Sequence, residues 1–154
     1  MSAESRLAEL GIELPSTPAP LANYVPAVRV GNLLIVSSQG PLANGAVDPA
    51  HRGKVGAELS IDAGKAAARL AAINVLAQAR AALGSLDAVR RVVRLGGFIN
   101  SAPGFSAQAN VMNGASDLMV EVFGENGRHA RTTVGVNELP LDFSVAVEAM
   151  FEVA

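Results

Sequence analysis

The fold is decided by HARTTVGVNELPLDFSVAVEAMFEVA, residues 129–154. Two β-branched and apolar segments, about 131–136 and 144–153, flank the turn-forming sequence NELPLDF. Short runs that are rich in Val, Thr and Phe and are bounded by Asn, Pro or Asp are typical of β-strands. The stretch therefore predicts two consecutive strands.

Three further strands are predicted upstream of this stretch. Segment 27–39 predicts two strands around the Gly31-Asn32 turn, which is a hairpin signal. Segment 87–100 is β-branched and predicts a strand of its own. Its Gly96-Gly97 pair indicates a bulge or a close backbone contact.

Three helices are predicted between and before these strands. A short amphipathic helix covers residues 2–10, and a long helix begins after Ser60 and ends at Gly84. Another helix is predicted from 105 to 123. Apolar residues at helical spacing define one stripe on each long helix: Ala66, Leu70, Ile73 and Ala77 on the first, and Val111, Ala115, Leu118 and Val122 on the second.

The order of the elements after the short N-terminal helix is β-β-α-β-α-β-β. A chain of 154 residues fits one domain over 1–154, with the N-terminal helix and a Pro-rich extended arm in 1–26. Helices interleaved with strands in a short chain predict an α+β fold, in which a single sheet carries two helices packed on one face. The other face of the sheet is left open and needs a partner.

Composition narrows the functional classes. Half of the residues are hydrophobic, but only 4% are aromatic, which makes oligomerisation a reasonable way to bury more apolar surface. A net charge of −2 argues against a general nucleic-acid or membrane-surface binder. Without Cys, and with only His51 and His129, a metal site is not expected. Neither a secretory signal nor a membrane span is predicted, so we expect a cytoplasmic protein.

Side-chain alternation in the last two strands singles out Arg131 and Glu148. Thr132, Val134 and Val136 are the more apolar set of their strand and are expected to face the helices. That choice places Arg131 and Thr133 on the open face. The same alternation places Glu148 there, in the middle of a mostly apolar strand. Charged residues at such positions are paired or used.

Several interpretations of these polar residues stay open at this point. In the first interpretation, Arg131 and Glu148 form a buried ion pair and have no other role. Alternatively, the planar donor fork of Arg131 binds a ligand carboxylate, and Glu148 handles protons or a water molecule beside it. His129 is either a second polar group of the same cleft or a half-exposed loop residue. A small basic cluster, which consists of Arg90, Arg91 and Arg94, either contacts RNA or is solvated or interfacial. Strand alternation splits the cluster across two faces, which favours the second interpretation.

The same stretches carry a resemblance to a known family. NYVPAVRVGNLLIVSSQGPL (23–42) resembles the N-terminal tyrosine, hairpin and Ser-Gly-Gln-Pro-like turn of the reactive intermediate deaminase (Rid) family, also called L-PSP endoribonuclease-like. Segment 129–154 is similar to the C-terminal signature of that family, an arginine strand, a Leu-Pro turn and a strand with an internal Glu. The resemblance implies a chorismate-mutase-like fold, a homotrimer and clefts between subunits.

The resemblance also implies roles for individual residues. Arg131 matches the carboxylate-binding arginine of the family, and Glu148 matches the glutamate that positions or activates water. Tyr24 matches the tyrosine that lines the cleft, and Ser37 matches the serine of the turn after the hairpin. Thr133 stands where the family often has Cys and is expected to contact the substrate.

Departures from the family pattern point to a divergent subgroup. Ser38 replaces the usual glycine after the turn serine, and the second long helix is longer than usual, which leaves Asn113 as a candidate for the cleft asparagine of the family. From the residues alone, Tyr24 equally fits an anchor for the Pro-rich arm. Ser37 equally fits a residue that satisfies the backbone of a turn.

Three functions follow from the resemblance. Family members with deaminase activity hydrolyse imines and enamines of amino-acid breakdown to keto acids and ammonia without a metal or an organic cofactor, and this is the first expectation. The second is a non-catalytic trimer that binds small carboxylate metabolites, and the third is a ribonuclease or translation inhibitor, which the acidic balance disfavours. Arg131 and Glu148 together favour the enzyme, since binding needs only the arginine.

Overall fold

The computed structural model of the chain describes residues 1–17 and 22–154. Residues 18–21, a part of the predicted extended arm, lie outside this description. In the described ranges, three α-helices and seven strands are present: α1 (Ala3–Glu9), β1 (Ala27–Val30), β2 (Leu33–Gln39), β3 (Leu42–Ala43), β4 (Ala46–Val47), α2 (Ile61–Leu83), β5 (Val89–Asn100), α3 (Gln108–Phe123), β6 (Ala130–Val136) and β7 (Val145–Val153).

Five of the strands form one mixed sheet in the order β1-β2-β7-β5-β6. Neighbouring strands are antiparallel except for β5 and β6, which are parallel. The α+β prediction is confirmed. The structure also contains an element that the sequence does not predict. Strands β3 and β4 form a separate two-stranded hairpin between β2 and α2.

The parallel pair is joined by α3, so that β5, α3 and β6 form a β-α-β unit. Adjacent parallel strands need such a crossover, and the crossover element packs on the face of the sheet. Strand β6 is the last strand in the order of the sheet, and it lies beside α3. This arrangement decides what surrounds Arg131.

The side of α2 that is buried in the core differs from the side that its sequence predicts. Of the predicted stripe only Ala77 is buried, whereas Ala66 is exposed, and Leu70 and Ile73 are partly exposed. Smaller side chains dominate the buried side: Ala67, Ala68, Ala71, Ala72, Val75, Leu76 and Ala79. Side-chain size decides which side of α2 is buried, because α3 and the sheet pack closely against this side.

A close crossing of α2 and α3 explains this preference. An added Cβ at Gly114 of α3 would lie 2.1 Å from the carbonyl oxygen of Lys65 in α2, so only glycine fits there. The stripe predicted for α3 is confirmed, and all of its members are buried: Val111, Ala115, Leu118 and Val122. The Gly96-Gly97 pair of β5 also makes the predicted close contacts, since a Cβ at Gly97 would meet Met112 Sδ at 2.4 Å.

The face of the sheet away from α2 and α3 carries exposed apolar residues. Val28 and Val30 of β1, Ile35 of β2 and Val134 of β6 are each at least 42% exposed. Rows of apolar side chains on one face are typical of a surface that is covered in an assembly. Among the described residues, no helix has the length and apolar character needed to cross a membrane.

Candidate functional site

Arg131 stands at the exposed edge of the sheet and points to the side occupied by α3. Its Nη1 donates hydrogen bonds to Asn113 Oδ1 at 2.8 Å and to Ser116 Oγ at 3.1 Å. Asn113 and Ser116 lie one turn apart on α3, so they present neighbouring side chains to β6. Both hydrogens of Nη1 are thereby used, and the guanidinium is held in a fixed orientation.

The opposite side of the same guanidinium is free for a ligand. Within the described residues, Nε and Nη2 of Arg131 make no hydrogen bond, and the side chain is exposed. The parallel N–H groups of Nε and Nη2 match the two oxygens of a carboxylate. Because the orientation is fixed from behind by Asn113, less side-chain entropy is lost when an anion binds.

The predicted shared face of Arg131 and Glu148 is wrong. Arg131 is level with Leu95 of β5, whose side chain is fully buried under the helices. Thr132 is level with Gly96, and Gly96 is level with Glu148. Thr132 is therefore the residue of β6 that shares the open face with Glu148, and Arg131 lies on the opposite face.

The prediction that the more apolar side chains of β6 face the helices is wrong, because this strand is at the edge of the sheet. The helix-facing side of β6 meets the polar residues Asn113 and Ser116 of α3 rather than the apolar core. Val134, which this prediction assigns to the core, is 42% exposed on the open face. At an edge strand the pairing register, and not the hydrophobicity of a few residues, decides which side chains turn inward.

Glu148 is occupied by an ion pair on the open face. Its Oε1 lies 3.2 Å from Nη1 of Arg94, and both side chains are 40% exposed. The carboxylate folds over Gly96, where an added Cβ would lie 2.7 Å from Oε1. Glycine at this position therefore makes the room that the carboxylate occupies.

Tyr24 and Ser37 lie at the far end of the sheet from Arg131. Ser37 Oγ donates to the carbonyl oxygen of Val25 at 2.8 Å, so it ties the segment before β1 to β2. Tyr24 is 57% exposed. Since β1 and β6 are the two opposite edges, one copy of the chain does not bring Tyr24, Ser37 and Arg131 together.

Thr133 is on the same side of β6 as Arg131. Its Oγ1 is buried and has no hydrogen-bond partner within the described residues. Buried hydroxyl groups are nearly always paired, so an unpaired one close to a binding residue marks a place where a ligand or a water molecule completes the bonding. The position therefore remains a candidate for substrate contact.

His129 joins Arg131 through Ser116. Nε2 of His129 lies 2.9 Å from Ser116 Oγ, and Nδ1 lies 2.7 Å from the carbonyl oxygen of Gly127. Burial lowers the pKa of His129, the charge of Arg131 lowers it further, and the bond to Gly127 acts in the opposite direction. Across the described ranges, no three His, Asp or Glu side chains gather as metal ligands would.

Comparison with known proteins identifies the relatives of this fold. The family model described as "YjgF/chorismate_mutase-like, putative endoribonuclease" matches residues 4–153. The chain belongs to this YjgF/chorismate mutase-like family. Protein TCP17 of Trypanosoma cruzi, for example, is 49% identical over 149 residues, which cover 96% of this chain and 92% of that protein.

Two crystal structures of similar proteins share the fold in detail. A protein from Agrobacterium tumefaciens is 45% identical with a TM-score of 0.90, and the match covers 99% of this chain and 92% of that one. A protein from Shewanella oneidensis, described as a "putative endoribonuclease", is 37% identical with a TM-score of 0.94, and the match covers 99% of this chain and 100% of that one. The YjgF/chorismate mutase-like architecture therefore extends over nearly the whole chain.

Sequence reasoning missed Ser116 as a neighbour of Arg131 and left His129 undecided. One signal was present, because His129 and Arg131 are two residues apart and so share strand parity. The spacing of Asn113 and Ser116 also places both on one side of a helix. The sequence did not show that this side of α3 faces β6, which the parallel crossover decides.

Proposed function

We propose that the protein is an imine and enamine deaminase, which hydrolyses 2-imino acids to 2-keto acids and ammonia in clefts between the subunits of a homotrimer. The observation that carries this proposal is the free Nε and Nη2 edge of Arg131, held in place by Asn113. A 2-imino acid presents one carboxylate at a fixed distance from its electrophilic carbon. An arginine that fixes the carboxylate also positions that carbon, which is a large part of the catalysis such a reaction needs.

The position of Glu148 supports a site that is shared between copies of the chain. Arg131 and Glu148 lie on opposite faces, and Tyr24 and Ser37 lie beyond them near the other edge. If all four residues serve one ligand, at least two copies must contribute. The exposed apolar side chains of the open face give the copies a surface on which to associate. A homotrimer, which the resemblance to the Rid family implies, meets this requirement.

In the assembled site, Glu148 of a neighbouring copy acts on water. Its carboxylate orients or deprotonates the water molecule that attacks the imine carbon. Arg94 holds this carboxylate in place until the substrate arrives, because its Nη1 lies 3.2 Å from Oε1 of Glu148. Imines of this kind already hydrolyse in water, so positioning and one proton-handling group give useful acceleration.

One alternative function is favoured by a specific observation. Glu148 is already paired with Arg94, so it is retained by a structural contact even if no chemistry takes place. Arg131 with Asn113 then suffices for a non-catalytic trimer that binds small carboxylates. A ribonuclease role receives less support, because the chain has 12 Lys and Arg against 14 Asp and Glu.

Ammonia release decides between the enzyme and the binder. We would generate 2-iminopropionate and 2-iminobutyrate with an amino-acid oxidase and compare wild type with Arg131→Ala and Glu148→Gln. The enzyme accelerates release, and each substitution lowers the acceleration at least tenfold. Arg128→Ala is the matched control, since Arg128 is exposed and, within the described residues, its side chain pairs only with Glu125. Tight binding of 2-keto acids without acceleration would establish the binder instead.

A further inference from the structure

Hydrogen bonds link Arg131, Ser116, His129 and the carbonyl of Gly127 in one chain, in which each group donates to the next. The Gly127 carbonyl can only accept, so Nδ1 of His129 carries a hydrogen. In neutral imidazole Nε2 is then an acceptor, and the hydroxyl of Ser116 donates to it. Ser116 Oγ in turn accepts from Nη1 of Arg131. The hydroxyl of Ser116 is therefore turned away from the free edge of Arg131 as long as His129 is neutral.

Protonation of His129 reverses the role of Ser116. An imidazolium carries hydrogens on both nitrogens, so Nε2 now donates to Ser116 Oγ. The two acceptor positions of Ser116 are then filled by His129 and Arg131, so its own hydrogen is free to turn to another acceptor. The second positive charge beside Arg131 disfavours this state, but a carboxylate bound at Arg131 removes the penalty.

We propose that Ser116 and His129 supply the proton that the leaving nitrogen needs, and that His129 takes up this proton when a carboxylate binds at Arg131. The inference rests on the proposed function and adds to it a general acid that complements Glu148. General acid catalysis at the leaving group accelerates the reaction further, because the amide anion is a poor leaving group, whereas ammonia is a good one.

The reaction is balanced with these groups. Water adds to C2 of the protonated imine and loses a proton to Glu148 of the neighbouring copy, which gives a carbinolamine. Ser116 donates its proton to the amino nitrogen and takes one from Nε2 of His129. The C–N bond breaks with its electron pair going to nitrogen, the C2 hydroxyl becomes the carbonyl, and its proton leaves with ammonia as ammonium. Glu148 returns its proton to solvent.

Among the described residues, Arg131 is the charged side chain that lowers the pKa of His129. On the turn that precedes β6, Arg128 and Glu125 are paired with each other at 3.2 Å. Arg91 of β5 donates to the carbonyl oxygen of Arg128 rather than to the histidine. From α3 the contact is the neutral hydroxyl of Ser116. The binding of a carboxylate to Arg131 is therefore the main change of charge in the surroundings of His129.

Proton uptake on binding tests the inference without any turnover. Pyruvate serves as the probe, and calorimetric titration at pH 7 in two buffers with different ionisation enthalpies gives the number of protons taken up. In parallel, NMR follows the two histidines of the chain, His51 and His129, with and without pyruvate. We expect pyruvate to raise the pKa of His129 by about one pH unit, to leave the His51 resonance unmoved, and to cause proton uptake that His129→Gln abolishes. His51→Gln is the matched control.

The outcomes separate this inference from the proposed function. Arg131-dependent binding of pyruvate without proton uptake would overturn the inference and leave the carboxylate site in place. An absence of Arg131-dependent binding would remove the proposed function and the inference together. Uptake that persists in His129→Gln would place the proton elsewhere and overturn the role of His129.

Kinetics of ammonia release test the same pair during turnover. His129→Gln is expected to lower kcat roughly 100-fold while KM changes little. Ser116→Ala is expected to lower kcat to the same extent and also to raise KM, because it removes the hydrogen bond between Ser116 Oγ and Nη1 of Arg131. Because one proton passes through both groups, the double variant should be no slower than either single variant. Losses that add in the double variant, or that appear in KM rather than in kcat, would contradict a relay.

Discussion

Arg131 and Glu148 lie on opposite faces of one sheet, because Arg131 is level with Leu95 of the intervening strand β5 and Glu148 is level with the next residue, Gly96. A ligand that contacts both residues must therefore sit between two copies of the chain.

Disruption of the open face should separate assembly from folding. Ile35 is 42% exposed there, and Ile35→Lys places a charge where a second copy would bury an apolar side chain. We expect light scattering to report the mass of three chains for wild type and of one chain for the variant, with unchanged circular dichroism. Ammonia release should be lost with the trimer. Ala81→Lys on the exposed surface of α2 is the control, and an active monomer would refute the shared site.

Asn113 should matter through the orientation of Arg131. Asn113→Ala removes the 2.8 Å hydrogen bond to Nη1, so that the guanidinium samples other rotamers. The loss of one charge-assisted hydrogen bond, about 1.5 kcal/mol, corresponds to roughly a tenfold rise in the Kd for pyruvate. Asn110→Ala on the exposed side of α3 is the matched control. An unchanged Kd in Asn113→Ala would show that Arg131 needs no support.

The helix crossing should be intolerant of a single methyl group. In Gly114→Ala the added Cβ meets the Lys65 carbonyl oxygen, which is backbone and cannot rotate away. Overpacking of this kind lowers the free energy of unfolding by about 3 kcal/mol, measured by urea denaturation. Ala109→Gln, at an exposed position of the same helix, should change it by less than about 0.5 kcal/mol. Equal effects of the two substitutions would contradict the crossing.

The ion pair between Arg94 and Glu148 should contribute little to stability. Both side chains are 40% exposed, so solvent screens the attraction and Glu148→Gln should lower the free energy of unfolding by less than about 1 kcal/mol. The same substitution should strongly reduce ammonia release. A large loss of stability with a proportionate loss of activity would instead favour a structural role for Glu148.

Stability should fall as the solution becomes mildly acidic. The pKa of His129 is lower in the folded chain than its ordinary value of about 6.5, mainly because of burial. Between these two pKa values the unfolded chain binds more protons, so the free energy of unfolding decreases as the pH falls through this window and levels off below it. Urea denaturation from pH 7.5 to 5 should show this slope in wild type and not in His129→Gln.

A second, more acidic transition is expected from Glu58. Hydrogen bonds from backbone N–H groups, its own and that of Lys54, lower the pKa of this carboxyl below its usual value. The stabilisation is present above the ordinary pKa of glutamate and is lost as the pH falls through the lower folded-state value. Glu58→Gln should remove this acidic part of the curve and leave the His129 part unchanged, which separates the two groups.

Local sequence patterns predicted the elements of this fold well. Ser60 caps α2 and Gly84 ends it in the left-handed conformation, because capping depends on residues next to each other in the chain. The hairpin of β1 and β2 and the two last strands were found for the same reason. The buried side of α2 was not found, because it depends on how closely α3 crosses, which no local pattern records.

The candidate site shows the same division. The sequence by itself singled out Arg131 and Glu148 as candidate site residues, since they are unusual charges in apolar strands. Only the tertiary structure decided their arrangement, because β6 is the edge strand of the sheet and its parallel pairing with β5 fixes its register. A shift of one residue in that register would exchange the two faces of β6. The register is set by long-range pairing, so it placed Arg131 with Asn113, Ser116 and His129, and apart from Glu148.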